Sequence, residues 1–414
     1  MKRRSFIYGA GVLAGAGALG AWRFWPEQGV WNPCLARLPR RLAEHDLVRS
    51  AWDGIDPTRV WDSHAHLVGT GDSGSGIVIN PRMESLMHPG QYARRLFFLN
   101  AGCAYDSPGG VDRAYVERLH NLLEGMPAGV KLLLYAFDRA HDEHGAPDDE
   151  HSGLYVPDAY ARDVARALPQ RLEWVASIHP YRKDALEALA LAKKEGARGV
   201  KWLPSAMGID PSSPRCDRFY SLLERSNVPL IVHAGLERAV LGREMHDYGN
   251  PLRLRRALDA GVRVVVAHCA SMGQDRDLDQ GPQGPMVDSF SLFARLMTEK
   301  RFEKHLYGDI SAMTQVNRAG SALAQVVERT DWHGRLLNGS DYPLPGVMPI
   351  FSVDYLINIG LIDKESGPVL TEIRQHNPLL FDLVLKRRLR SRGKALSRQV
   401  FETRAFFEAS VRKT

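Results

Sequence analysis

Cysteine is scarce. The chain holds four, at Cys34, Cys103, Cys216 and Cys269. None belongs to a C-x-x-C pair, which excludes a zinc ribbon and a dithiol redox motif, and their spacing asks for no disulfide. A Gly-rich phosphate loop is missing after the first strand-like run, which counts against a doubly wound nucleotide-binding fold. No stripe of basic residues interleaved with aromatics is present, so nucleic acid is not an expected partner. What remains is an ordinary globular composition, 44% hydrophobic and 25% charged, enough to build a large core.

Charge is unevenly placed. The formal net charge is +6, yet residues 386–414 alone carry ten Lys/Arg against two Glu, leaving the rest slightly acidic. The basic end reads as a solvated helical tail. The other end opens "MKRRSFIYGAGVLAGAGALGAW": Lys2, Arg3 and Arg4 precede a Gly/Ala-rich apolar run with Phe6 and Ile7 behind the arginine pair. Residues 1–25 are therefore read as a twin-arginine-type signal for export to the periplasm, with Ala16-Gly17-Ala18 as its cleavage site. Left uncleaved, the same run is an N-terminal anchor that holds the protein at the membrane surface. Residues 26–58 read as a short helical lead-in.

From Arg59 an order repeats: an apolar run, a polar loop, a helix-patterned stretch. The strand candidates are 59–66 (RVWDSHAH), 130–137 (VKLLLYAF), 172–179 (LEWVASIH), 197–204 (ARGVKWLP), 228–235 (VPLIVHAG), 262–269 (VRVVVAHC), 305–312 (HLYGDISA) and 335–342 (RLLNGSDY). Near-continuous apolar runs mark strands buried on both faces of a parallel sheet. Eight such units predict a (β/α)8 barrel over 59–385. The first connection, 67–112, is long and predicts a flap over the mouth; a second long one spans 269–288.

Chemistry gathers at the C-terminal ends of these strands. Run one ends in His64 and His66, run five in His233, run six in His268, and run eight in Asp341. Catalytic groups of a barrel come from these ends of several strands. Residues at i and i+2 of a strand share a face, so His64 and His66 can bind one ion, with His233 and Asp341 completing the site. Imidazole with carboxylate suits zinc, manganese or iron.

The strings "VWDSHAH", "GVKWLP", "LIVHAG", "VVVAHCAS", "NGSDYPLPG" and "IRQHNPLLF" resemble the strand-end motifs of the amidohydrolase superfamily, in the branch of amidohydrolase-2 type hydrolases and decarboxylases. The resemblance runs from Val60 to about Leu383. It implies a TIM barrel and a divalent metal, zinc first, held by His64, His66, His233 and Asp341, with one ion favoured over two. It makes His268 either a ligand of a second metal or a group that polarises the substrate. Lys201 is the counterpart of a strand-four lysine that is carboxylated and bridges two metals in binuclear members; the alternative is a lysine paired with an acid near the mouth. The implied reaction is attack of a metal-activated water on an amide, lactone or other ester of a small molecule, Asp341 moving the proton. A non-oxidative decarboxylase on the same scaffold and a non-catalytic envelope binding protein are the rival readings. His179, Arg182, Trp202, Ser205, Asp309 and Arg318 are candidates to line the mouth, His179 and Arg182 as holders of an anionic group.

Overall fold

Each of the eight apolar runs contains a strand of the computed structural model, which describes residues 28–105 and 107–409. The expected export signal at 1–25 lies outside the described residues. The barrel strands are β1 (Trp61–His66), β2 (Lys131–Tyr135), β3 (Leu172–Val175), β4 (Val200–Trp202), β5 (Leu230–His233), β6 (Val264–Ala267), β7 (Leu306–Asp309) and β8 (Leu336–Leu337). Neighbours pair in parallel, β1 with β2, β2 with β3, and β4 through β8 in order. Two junctions close the circle. Ala176, just past β3, bridges to Val200 of β4, and Lys201 N donates to Ala176 O at 2.8 Å. On the other side Ala65 bridges to Tyr342, while Ser63 N donates to Asn338 O at 2.9 Å and Asp341 N to His64 O at 2.7 Å. The fold is the expected (β/α)8 barrel.

The two-residue period of a strand sorts side chains. Leu133 and Tyr135 of β2 join Trp61, Val175, Ile231, Val265 and Leu337 inside the barrel. Leu132 and Leu134 belong instead to the apolar layer between the strands and the helices. β1 carries a complication. Trp61 faces inward, so strict alternation would turn His64 and His66 outward. The register against β2 slips between Asp62 and Ala65, where three steps along β1 match two steps from Leu132 to Leu134. One extra residue reverses the alternation, and both histidines enter the barrel mouth.

All strands but β1 stop short of their predicted ends, and two of them do so at left-handed backbone. Regular pairing in the 335–342 run is confined to Leu336–Leu337, and the 262–269 run leaves the ladder after Ala267. The cause is backbone geometry at the mouth. Asp341 has φ 62°, and His268, Cys269 and Ala270 have φ 54°, 50° and 51°. Non-glycine residues pay for that region and keep it where surrounding contacts demand it. Gly339 is required by contact: a Cβ there would lie 2.6 Å from His64 Cβ.

The long first connection does reach over the mouth. Its Gly/Ser-rich start is gathered by one carboxylate, Asp112, which accepts from Thr70 N (2.7 Å), Ser73 Oγ (2.9 Å) and Ser75 Oγ (2.6 Å). It continues into a helix, Pro89–Ala101. A disulfide between Cys34 and Cys103 ties the end of that flap to the lead-in, a pairing that cysteine spacing alone did not suggest.

The C-terminal tail differs from the solvated helix expected of it. Leu389, Leu396, Val400, Phe401 and Phe407 are buried. Among the described residues past Arg388 the helical segments are short turns, Arg398–Val400 and Arg404–Glu408. The physical reason is the open base of the barrel: Phe407 inserts into the interior layer, and Thr403 Oγ1 donates to Trp61 O. Lys386 is also buried, its Nζ donating to Asp382 Oδ2 (2.7 Å) and Gly339 O (2.6 Å). Among the described residues no helix is long and apolar enough to cross a membrane.

Candidate metal centre and its cavity

The slip in β1 brings His64 and His66 together, and the left-handed turn after β8 delivers Asp341 to them. His64 Nε2 lies 3.2 Å from His66 Nε2 and 3.5 Å from Asp341 Oδ1, and His66 Nε2 lies 3.1 Å from the same oxygen. Burial pushes the His64 imidazole down to about 4, so the ring is neutral near pH 7. Its Nδ1 donates to Asp309 Oδ2 at 2.8 Å. That bond fixes the tautomer and leaves the Nε2 lone pair facing the cluster, as a metal-ligating histidine needs. Burial alone would raise the Asp341 carboxyl, but His268, His64 and His66 hold it well below the usual carboxylate range.

The donor set itself tests the expected metal. Two imidazole nitrogens and a carboxylate oxygen, all buried or nearly so, converge on one point. Bare lone pairs this close repel unless a proton or a cation sits among them. The residues fit a divalent ion, and His64, His66 and Asp341 are the ones that would hold it.

His233 lines the same cavity, outside the three donor atoms that converge most closely. Its Nδ1 is 3.2 Å from Glu237 Oε2, and its Nε2 is 3.4 Å from Leu236 O. Glu237, four residues on, was not singled out by the sequence, because nothing about a lone acid in a loop marks it. His268 packs against both groups, its ring 5.1 Å from that of His64 and 5.2 Å from that of His233. Its Nδ1 donates to Ser311 O at 2.9 Å. In the neutral ring that burial enforces, Nε2 then carries a lone pair, 3.8 Å from Asp341 Oδ2. A lone pair there suits a ligand or a base.

Lys201 Nζ sits 3.3 Å from His64 Nε2 and 5.4 Å from the centre of the Tyr135 ring. Burial brings its pKa down to about 8, against the pull of Asp309 and Asp341. Among the described residues it makes no ion pair with an acid. Tyr135, which the sequence left as an ordinary strand residue, stacks beneath His64 with ring centres 4.6 Å apart.

The remaining mouth candidates divide. Asp309 lies behind the centre, not at its edge, where it orients His64 and accepts from His268 N at 3.1 Å. Arg318 lines the cavity. His179 does not: it is buried against Met207 O (3.1 Å) and the His141 ring. Arg182 is spent on Asp138 (3.0 Å) and Asp184 (2.7 Å). Trp202 donates to Ile178 O at 2.8 Å, and Ser205 is buried away from the cavity. These four pack the barrel wall. The cavity, about 290 Å3, is walled by Val68, Met83, Phe97, Phe137, Leu203 and Val347, with the metal cluster on its floor.

Solved structures with this architecture are similar to the chain at low identity. An uncharacterized TIM-barrel protein from Bordetella bronchiseptica aligns at 16% identity and TM-score 0.45, covering 76% of this chain and 99% of its own. A putative 2-pyrone-4,6-dicarboxylic acid hydrolase from Pseudomonas putida gives 16% and 0.42, covering 78% and 97%. A 5-carboxyvanillate decarboxylase from Sphingomonas paucimobilis gives 12% and 0.39, covering 77% and 98%. No curated protein matches. The amidohydrolase family model matches residues 61–359, from the first residue of β1 to beyond β8. With the barrel closed and the histidine pair and Asp341 assembled at its mouth, the chain belongs to the amidohydrolase family, whose enzymes depend on a metal.

Proposed function

We propose that the protein is a zinc-dependent hydrolase that cleaves an amide, lactone or other ester bond of a small molecule. The observation that carries the reading is the Asp341 carboxylate. It is buried, kept ionised, and turned with one oxygen to His66 and the other to His268. A divalent ion at the cluster would supply Lewis acidity and a water made acidic near neutral pH. Asp341 can orient an attacking water and carry its proton to the leaving group. The His268 Nε2 lone pair adds a second basic site on the same side. The apolar wall keeps bulk water off a substrate lying against the cluster and strengthens the local electrostatics. Two imidazoles with one carboxylate suit zinc, with manganese or iron as alternatives.

Export to the periplasm belongs to the same proposal. The twin-arginine-like start motivates it, and the Cys34–Cys103 disulfide supports it, since such bonds persist in oxidising compartments. The test of the chemistry is a product screen. Zinc-loaded protein incubated with aryl esters, lactones, anilides and aromatic carboxylic acids should release alcohol or amine from the first three. Carbon dioxide from the acids, with no ester or amide cleavage, would replace the hydrolase with a decarboxylase.

A further inference from the structure

Two cations packed into this molecule are answered by acids. Arg182 has Asp138 and Asp184, and Lys386 has Asp382. Arg318, only 8% exposed, makes no ion pair among the described residues. Its Nη1 has a long contact to Ser271 Oγ at 3.5 Å, and its Nε has no partner. A buried guanidinium left in that state is costly, and it is tolerated where a ligand supplies the missing acceptor.

A second donor stands beside it. Gln315, 5% exposed, also leaves its side-chain Nε2 without a partner. Arg318 N donates to Gln315 O at 2.9 Å, so one turn of the loop after β7 presents both side chains. Both residues line the cavity that holds the metal cluster.

We propose that Arg318 and Gln315 receive a carboxylate of the ligand, on the cavity wall adjoining the metal cluster. A planar guanidinium and a neighbouring amide N–H offer donors to both oxygens of a carboxylate. The rest of the wall, with Met83, Phe97, Phe137 and Leu203, fits an apolar body. The ligand class is therefore an apolar carboxylic acid whose hydrolysable bond lies near its acid group. Calling that ligand the substrate rests on the hydrolase reading; the binding does not.

The test is calorimetric titration of the full chain with 4-phenylbutyrate and with 4-phenylbutanamide, once zinc-loaded and once after chelator treatment. The acid should bind at least about tenfold more tightly than the amide in both states. Arg318→Gln should abolish the preference, Arg318→Lys should keep part of it, and Gln315→Leu should weaken it. Should Arg318→Gln not fold, the Lys and Leu variants carry the same comparison. Equal binding of acid and amide would overturn the proposal. So would a preference that appears only with zinc and survives Arg318→Gln, because the carboxylate would then sit on the metal. Failure of the hydrolase reading would show separately, as absent turnover with the acid preference intact.

Discussion

At the base of the barrel Trp61, Ile231 and Leu337, with Phe407 of the tail, fill the interior, whereas at the mouth the runs of the same strands end in His64 and His66, His233 and Asp341. The base is sealed by the tail, with Phe407 closing the interior layer. The mouth keeps left-handed backbone at His268 and Asp341 and unpartnered donors at Gln315 and Arg318. One end spends its residues on stability. The other holds geometry and charge that cost stability, which is the signature of a site.

The sharpest way to break this division is to exchange the consequences. Asp341→Asn should lower kcat by about 10²–10⁴ while leaving the unfolding midpoint unchanged or raised. Phe407→Ala should do the reverse, costing about 3–5 kcal/mol in denaturant unfolding with kcat intact. A Phe407→Ala enzyme with normal stability and lost activity would dissolve the contrast. Between these lies the staple of the flap. Replacing Cys34 and Cys103 together by serine should cost about 2–5 kcal/mol, and kcat/KM should fall with it because the flap helix walls the cavity.

Smaller effects probe the pair beneath the centre. Burial pushes the Asp382 carboxyl up to about 7, with Lys386 opposing. A carboxyl whose folded pKa lies above its unfolded value of about 3.9 favours the folded state most below that value. The contribution drains away as pH rises through 7. Asp382→Asn should therefore flatten the stability profile between about pH 4 and about pH 8; parallel profiles would contradict the assignment. The smallest change is Thr403→Val, which removes the hydrogen bond to Trp61 O and should cost about 1 kcal/mol.

The barrel and the metal cluster were legible for physical reasons. Strands buried on both faces leave near-continuous apolar runs, and polar residues at their ends stand out against that background. His64, His66 and Asp341 stood out in this way. The slip at Asp62–Ala65 was not legible, because a bulge changes pairing without changing composition. His233 was read into the cavity, where it stands, but the carboxylate of Glu237 beside its Nδ1 was not legible, since only three-dimensional packing brings that contact about. The tail's basic charge hid its function. Its arginines dominate the count, while spaced apolar residues such as Val400, Phe401 and Phe407 do the packing. Likewise Arg182 and Arg318 look alike in sequence, and only their partners separate a wall residue from an open donor.

The most direct test of the account is metal content per chain, by plasma mass spectrometry, on the parent protein and on His66→Ala, with native intact mass recorded alongside. The account predicts about one equivalent of divalent metal in the parent, an unmodified Lys201, and loss of the metal in the variant. No metal in the parent after reconstitution with zinc or manganese would contradict it, as would a His66→Ala protein that keeps its full equivalent.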